Sequence, residues 1–367
     1  MAHIRQIDLI NIMDQLPHIE PLDTSSLCPT GRADLFVCAL GFEDRTLSIP
    51  EYIAGRSGVE CGEAIHFEYA TNANDNEVNK PKLTKYLQGF AKSVGTMPCD
   101  VHDFSIALRK SMEIVCEDGR VPHVIFDISV CSSRVLLLVL KVLLEFNLNL
   151  SIVYSEAEVY HPTKEEYERN PGEWTTEEGF GIARGVGTLI ASPEHPGYRR
   201  DRLPEVMAVF PTFKPERAKA VIADIDESLL MGSRDRVIWV VGDPHLTADH
   251  WRADAIREIN KISPQAQSHE VSTFDYLKTI DVLERIYKPR DCKYHINVAP
   301  FGSKMQSVGI ALFWYLHQDV SVVFATPKEY NARQYSEGCK GMGQINFGSL
   351  ASTRAILDSV GQLLIVD

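Results

Sequence analysis

The sequence is short of positive charge and has no long apolar run. Its 367 residues carry 37 Lys and Arg against 50 Asp and Glu, a net charge of −13. A protein that coats duplex DNA neutralises phosphates with a surplus of basic residues, so the balance weighs against that role. It leaves room for a small local basic pocket. The most apolar stretch, VLLLVLKVLLEF from Val135 to Phe146, is too short to span a bilayer and contains Lys141 and Glu145. It reads as a buried helix, and no membrane partner is expected. The N-terminus, MAHIRQIDLINIMDQLP, mixes charge into its apolar positions and lacks a secretory cleavage site; it suggests a short amphipathic element. The eight cysteines form no CxxC pair and no zinc-ligand spacing, and most sit in or beside apolar runs. They read as reduced core thiols of a cytoplasmic protein. Walker A, a GxGxxG following a strand, and GxSxG are all absent, so ATPase, ordinary dinucleotide and elbow-type hydrolase readings lack support. No cofactor is implied.

What is present is a chain that reads as written twice. At an offset of 170 residues HVIFDISVCSSRV (123–135) falls without gaps on KYHINVAPFGSKM (293–305). That register sets Asp127 on Asn297, Ser133 on Ser303 and Arg134 on Lys304. LSIVYSEAEVYH then meets VSVVFATPKEYN, ARGVG (183–187) matches CKGMG (339–343), and LFVCALGFEDR (35–45) can be set beside EVMAVFPTFKPER (205–217). Apolar runs at 35–40, 64–70, 124–129 and 150–156, and again at 205–210, 236–242, 294–299 and 320–326, predict strands. Helical periodicity lies between them. Strands alternating with helices predict an α/β protein: two tandem Rossmann-like units, each a mainly parallel sheet flanked by helices and related by internal duplication. The expected division is an N-terminal extension over 1–30, a first unit over 31–200 and a second over 201–367. The charged stretch 161–180 reads as an inserted loop or hairpin.

Parallel sheets hold ligands at the carboxyl ends of their strands, which directs attention to the turns there. In DISVCSSR an apolar strand ends near Asp127 or Ser129 and a helix begins near Ser132 or Ser133. Serine caps free helix N–H groups, and the same geometry with Arg134 makes an anion site. NVAPFGSK repeats it with Asn297, Gly302, Ser303 and Lys304. After the first strand, GFEDR offers Gly41 for a tight turn, Glu43 and Asp44 as candidate acid/base groups, and Arg45 for a phosphate. The plain alternative is a charged helix start; the second half has only FKPER, with Glu216 and Arg217 as weaker counterparts. Arg184 and Lys340, each before a glycine, could clamp an anion; a hairpin or bulge accounts for those glycines equally well. Asp243, His245, Asp249 and His250 in GDPHLTADHW invite a metal reading, but a turn with a capped helix explains them more cheaply, and no metal site is assigned. Cys131 reads as packing.

NVAPFGSKM is similar to the strand–loop–helix signature of CRISPR-associated Rossmann-fold sensor (CARF) domains, and DISVCSSR resembles it in the other half. The tandem layout also resembles the related SAVED domains. This resemblance implies a pocket between two Rossmann-like halves that binds a cyclic oligonucleotide, a role in antiviral defence, and an effector carried by a separate protein. The basic residue here lies seven places after Asp127 or Asn297, one further than the family spacing, and Ala299 stands where the other half has Ser129. The leading expectation is therefore a nucleotide or other phosphorylated ligand bound by a sensor or regulatory subunit. An enzyme transforming a nucleotide or phosphate ester through Glu43 or Asp44, and a ligand-free scaffold, remain as alternatives.

Overall fold

The computed structural model describes all residues except 1–12, 57, 100–102, 170–182, 198–202, 230–234, 332–334 and 366–367. The amphipathic N-terminal run and most of the 161–180 insertion lie outside the described residues. The chain divides into two compact units, residues 1–161 with 335–367, and residues 162–334.

In chain order the main strands are β1 (Arg32–Ala39), β2 (Glu60–Glu68), β3 (Ala91–Pro98), β4 (His123–Asp127), β5 (Asn149–Glu156), β6 (Ala183–Pro196), β7 (Glu205–Val209), β8 (Val237–Asp243), β9 (Ser268–Ser272), β10 (His295–Ala299), β11 (Ser321–Tyr330) and β12 (Gly341–Ser349). The main helices are α1 (Ser48–Ala54), α2 (Lys80–Gln88), α3 (Phe104–Val115), α4 (Ser133–Leu143), α5 (Pro215–Ile225), α6 (Trp251–Ile259), α7 (Tyr276–Tyr287), α8 (Lys304–Leu316) and α9 (Leu350–Ile365).

The sheet of unit 1 runs Glu20–Pro21, β12, β5, β4, β1, β2, β3. The sheet of unit 2 runs β9, β8, β7, β10, β11, β6. β1 to β5 pair in parallel, as do β7 to β11, while β12 and β6 add antiparallel strands beside β5 and β11. Read from the far edge, β3-β2-β1-β4-β5 and β9-β8-β7-β10-β11 are the same order, so the α/β, two-unit expectation holds and the duplication extends to topology. The central strands are buried on both faces, as Phe36, Val37, Ile125 and Phe126 are, and as Met207, Ala208, Val298 and Val322 are. That is why they read as continuous apolar runs. α4 buries eight residues of its leucine-rich run against unit 1, as expected for that segment.

Two expectations are corrected. The division does not fall at 200/201. β12 pairs with β5 over residues 341–349, and Leu350 of α9 donates to Leu148, so the C-terminal segment returns to unit 1. β6, from the first half of the repeat, pairs with β11 of unit 2. The last strand of each repeat is thus exchanged into the other's sheet. The gapless register also slips. The helix caps are Ser132 and Ser303, 171 residues apart, so Ser133 and Lys304 open the two helices and Arg134 is the second residue of its own. All eight cysteines are free, and Cys28, Cys38, Cys61, Cys99 and Cys131 are buried. Among the described residues no helix is long and apolar enough to cross a membrane.

Candidate functional site at the carboxyl ends of the strands

In both units the strand order reverses between the first and fourth parallel strands, β1/β4 and β7/β10. That reversal is where open α/β sheets take ligands. The turns after these strands carry most of the residues singled out from the sequence.

In unit 1 those residues are used by the fold. β4 ends at Asp127, whose carboxylate accepts from the Ser129 N–H at 2.9 Å and from the Ser129 hydroxyl. Ser129 Oγ in turn accepts from the Ser155 N–H at 2.8 Å, tying the turn to β5. Burial pushes the Asp127 carboxyl up to about 6, against the opposing pull of the Ser129 hydrogen bonds and the Arg45 charge. The two turns approach closely at Gly41, where a Cβ would sit 3.1 Å from the Cβ of Val130 and Val130 would have to give way slightly. Glu43 and Arg45 form a buried ion pair, with Arg45 Nη2 2.7 Å and Nε 2.9 Å from Glu43 Oε2. Ser336 Oγ donates to the same carboxylate oxygen. Arg45 Nη1 donates to the Ser155 carbonyl at 3.2 Å, and its guanidinium lies about 6 Å from the Tyr154 and Tyr160 rings. Burial alone would push the Arg45 guanidinium down, but Glu43 and the two tyrosines outweigh it and the net shift is up. Asp44 is exposed at the start of a 3-10 turn. Glu43 and Asp44 therefore do not converge on a common point. Ser132 caps α4 by accepting from Val135 N–H, and its own N–H goes to the Tyr69 hydroxyl at 2.8 Å. Arg134 is half-buried, and its Nε is buried with no hydrogen-bond partner among the described residues.

In unit 2 the corresponding turn is also self-capped. Ser303 Oγ accepts from Gln306 N–H and donates to the Thr273 carbonyl at 2.6 Å, while Gln306 Oε1 accepts from Ser303 N–H. Gly302 leaves room for this cap, since a Cβ there would fall on Gln306 Oε1 and displace it. Asn297 is mid-strand rather than at the strand end. Its amide reaches back to Glu205 Oε2 at 2.8 Å, away from the carboxyl rim. Asn297 pairs with Ser321 as Ile125 pairs with Ser151, so Asn297 stands two residues short of the place of Asp127 in its strand. Lys304 opens α8. Arg184 lies on β6 opposite Glu329, in unit 2, whereas Lys340 is exposed in unit 1 and gives its backbone N–H to Glu156.

Two basic residues of unit 2 stand out from this pattern. Arg217 Nε donates to the Ala325 carbonyl at 3.0 Å, and its guanidinium lies 4.5 Å over the Phe301 ring. Ala325 is 170 residues after Ser155, so Arg45 and Arg217 make the same contact in the two repeats. Arg217 has no carboxylate partner among the described residues. Lys214, at the start of α5, is only 6% exposed, yet its ammonium makes no hydrogen bond or ion pair among the described residues. Burial pushes the Lys214 amine down, partly offset by Glu216. The turns 210–217 and 300–304 hold Lys214, Arg217 and Lys304 against Glu216, 3 − 1 = +2; turns 40–46 and 128–134 hold Arg45 and Arg134 against Glu43 and Asp44, 2 − 2 = 0. Lys214 was not singled out from the sequence. A lysine between phenylalanine and proline, in the turn that follows an apolar strand, was the available signal.

Among the described residues no group of three His, Cys, Asp or Glu side chains could hold a metal ion. Asp243 and His250 approach to 3.9 Å at the end of β8, both about half exposed.

No protein-family model and no curated protein matches the chain. Among solved structures, the cytoplasmic domain of a prokaryotic cation chloride cotransporter aligns over 82% of this chain and 98% of its own, at 10% identity and a TM-score of 0.23. UDP-GlcNAc 2-epimerase from Methanocaldococcus jannaschii, in complex with UDP-GlcNAc and UDP, aligns over 90% and 99%, at 10% identity and a TM-score of 0.25. Likeness at this level brings no site residue and no ligand with it.

Proposed function

We propose that the protein binds a phosphorylated nucleotide at the carboxyl rim of unit 2, as a sensor or regulatory subunit. The observation that carries this reading is Lys214, a largely buried side chain whose ammonium has no hydrogen bond or ion pair among the described residues. Holding a charge out of water without a counter-charge is costly, and a ligand anion relieves that cost. Arg217 adds a guanidinium that spends one donor on Ala325 and keeps the rest for a phosphate. Lys304 opens the neighbouring helix, whose positive end favours anions. A cyclic oligonucleotide belongs to the same ligand class, and the CARF-like signature is the reason to include one. The enzymatic alternative has less support, because Glu43 is saturated by Arg45 and Ser336 while Asp44 stands apart in solvent. A general base must reach the proton it removes.

Thermal unfolding with a panel of linear and cyclic nucleotides tests the proposal. A ligand at about 100 times its Kd adds roughly 2.7 kcal/mol of stability. Lys214→Met keeps the apolar stem and removes the ammonium; it is expected to raise the melting temperature without ligand and to abolish the ligand-induced shift. A panel with no stabilising member, or a full shift retained in Lys214→Met, refutes the reading.

A further inference from the structure

The turn after β7 holds a lysine away from water. Phe213, 5% exposed, packs with Ala255 and Ile259 of α6 and meets the rings of Tyr167 and Trp251 at 6.1 and 5.9 Å. Asn260, which follows α6, grips the same turn by donating to the Thr212 carbonyl at 2.8 Å. Pro215 is buried where α5 starts. Lys214 lies between Phe213 and Pro215 and is drawn in with them; its amine has no hydrogen bond or ion pair among the described residues. Burial pushes that amine down, with Glu216 partly opposing, so more of it is neutral than of an exposed lysine. Three residues on, at the spacing of helix neighbours, stands Arg217. Its Nε is taken by the Ala325 carbonyl, while Nη1 and Nη2 have no partner among the described residues. Phe301 lies against a face of this guanidinium, and carboxylates meet a guanidinium at its edge. In unit 1 the equivalent guanidinium, Arg45, is met by the Glu43 carboxylate at 2.7 Å. The second repeat keeps the guanidinium and lacks the carboxylate; an amine stands three residues before it instead.

We propose that Lys214 is a site of reversible carbamylation by dissolved carbon dioxide, and that Arg217 holds the carbamate formed. The lone pair of the neutral amine attacks the carbon of CO2, the electrons of one C=O bond move onto oxygen, and the nitrogen releases a proton to solvent. With R as the Lys214 side chain, R–NH2 + CO2 → R–NH–COO− + H+. Nothing is oxidised or reduced, and no other reactant is needed. Only the neutral amine is a nucleophile, which is why a lysine held out of water is the one to react. A carboxylate added in a dry place needs a counter-charge. Guanidinium meets carboxylate through two parallel N–H···O bonds, for which Arg217 keeps both Nη groups. The adduct turns an unmatched cation into an anion and gives Arg217 the kind of partner that Arg45 already has. Glu216 is the acid of this turn and opposes the new charge, so the guanidinium decides whether the adduct persists. Carbamylation needs the amine and Arg217 but no nucleotide. A phosphate uses the same amine, so carbon dioxide and a nucleotide compete for Lys214.

The experiment uses the full chain, with isotopically labelled bicarbonate in equilibrium with carbon dioxide as the probe. Carbamates are trapped as ethyl esters with a trialkyloxonium salt, and the labelled lysines are located by peptide mass spectrometry. The expected result is an adduct at Lys214 at higher occupancy than at exposed lysines such as Lys92 and Lys219. Arg217→Ala is expected to need about ten-fold more carbon dioxide for half occupancy, and Arg217→Lys to fall between it and wild type. Occupancy at Lys214 no greater than at Lys92 overturns carbamylation, and so does occupancy unchanged in Arg217→Ala. The wild-type comparison decides the matter even where a variant unfolds. Thermal unfolding with nucleotides, run beside it, separates the two uses of Lys214. A nucleotide-induced shift without the adduct leaves the phosphate site and removes carbamylation; the adduct without a shift does the reverse. With both present, saturating bicarbonate is expected to reduce the shift relative to sodium chloride of equal ionic strength. An undiminished shift puts the nucleotide elsewhere than Lys214 and leaves the adduct standing.

Discussion

Arg45 and Arg217 donate to the carbonyls of Ser155 and Ala325, residues at the same place in the two repeats, and from there the units diverge. Arg45 is met by Glu43 and enclosed by two tyrosines and Ser336, so its charge is spent inside unit 1. Arg217 rests on a phenylalanine, and among the described residues neither it nor the largely buried Lys214 near it has a carboxylate partner. One copy of the motif is closed by an ion pair; on the proposed function, the other copy's charge meets a ligand. Duplicated folds allow this division, because one rim suffices to bind while the other is free to stabilise.

The sharpest test of that contrast is Glu43→Gln. It leaves Arg45 buried beside a neutral partner, and the expected loss is about 3–5 kcal/mol in urea denaturation. The double variant Glu43→Gln/Arg45→Met should recover most of it. A loss under 1 kcal/mol would mean that the pair is not what closes unit 1.

Asp127 gives the next largest effect, with a sign that depends on pH. Its folded pKa of about 6 lies above the unfolded value near 3.9, so the folded state holds a proton that the unfolded chain has already released. Stability from this group is therefore full below about pH 4 and lost as pH rises towards 6, by about 3 kcal/mol at most. Asp127→Asn keeps an acceptor for Ser129 and removes the charge. It should exceed wild type in stability at pH 7.5, with the gap closing as pH falls from 6 to 4. A pH-independent difference between the two proteins would contradict this.

Arg217→Ala should cost about 1 kcal/mol or less in stability, since one hydrogen bond and a ring contact are lost, while nucleotide binding falls sharply. Binding by wild type should itself weaken as salt rises, because charge–phosphate contacts are screened. Destabilisation by Arg217→Ala on the scale of Glu43→Gln would erase the distinction between the units. The smallest change expected is Asp44→Asn, within about 0.5 kcal/mol of wild type and without effect on binding.

The layered fold was legible because buried parallel strands carry unbroken apolar runs such as 124–126 and 322–325. Less legible were β3, whose AKSVGTMP is mostly exposed, and β6 and β12, whose glycines read as hairpins or bulges. Their exchange is a choice of partner, and local pattern does not record partners. At the site, the polar punctuation DxS, Ser132 and Gly-Ser-Lys did locate the strand-to-helix turns. It did not record their hydrogen bonds within the protein, which Ser129, Ser132, Ser303 and Asn297 all make. The informative residues were Lys214 and Arg217, cations with no carboxylate partner among the described residues, and whether a charge is matched is decided by tertiary contacts.

The exchanged strands also set a timetable for synthesis. β1 to β5 have all been made by residue 156, but β12, which covers β5, begins at residue 341. The interval is 341 − 156 = 185 residues, about 10–40 s of translation. Through it the outer edge of β5 carries unpaired backbone groups, and Glu43 waits for Ser336. Unit 2 has no such gap, since β6 precedes β11, its partner, and its chain is contiguous from 162 to 334. The second unit in the chain is therefore the first that can finish folding on the ribosome, and a nonsense truncation near the C-terminus would strike the unit built from the other end of the gene.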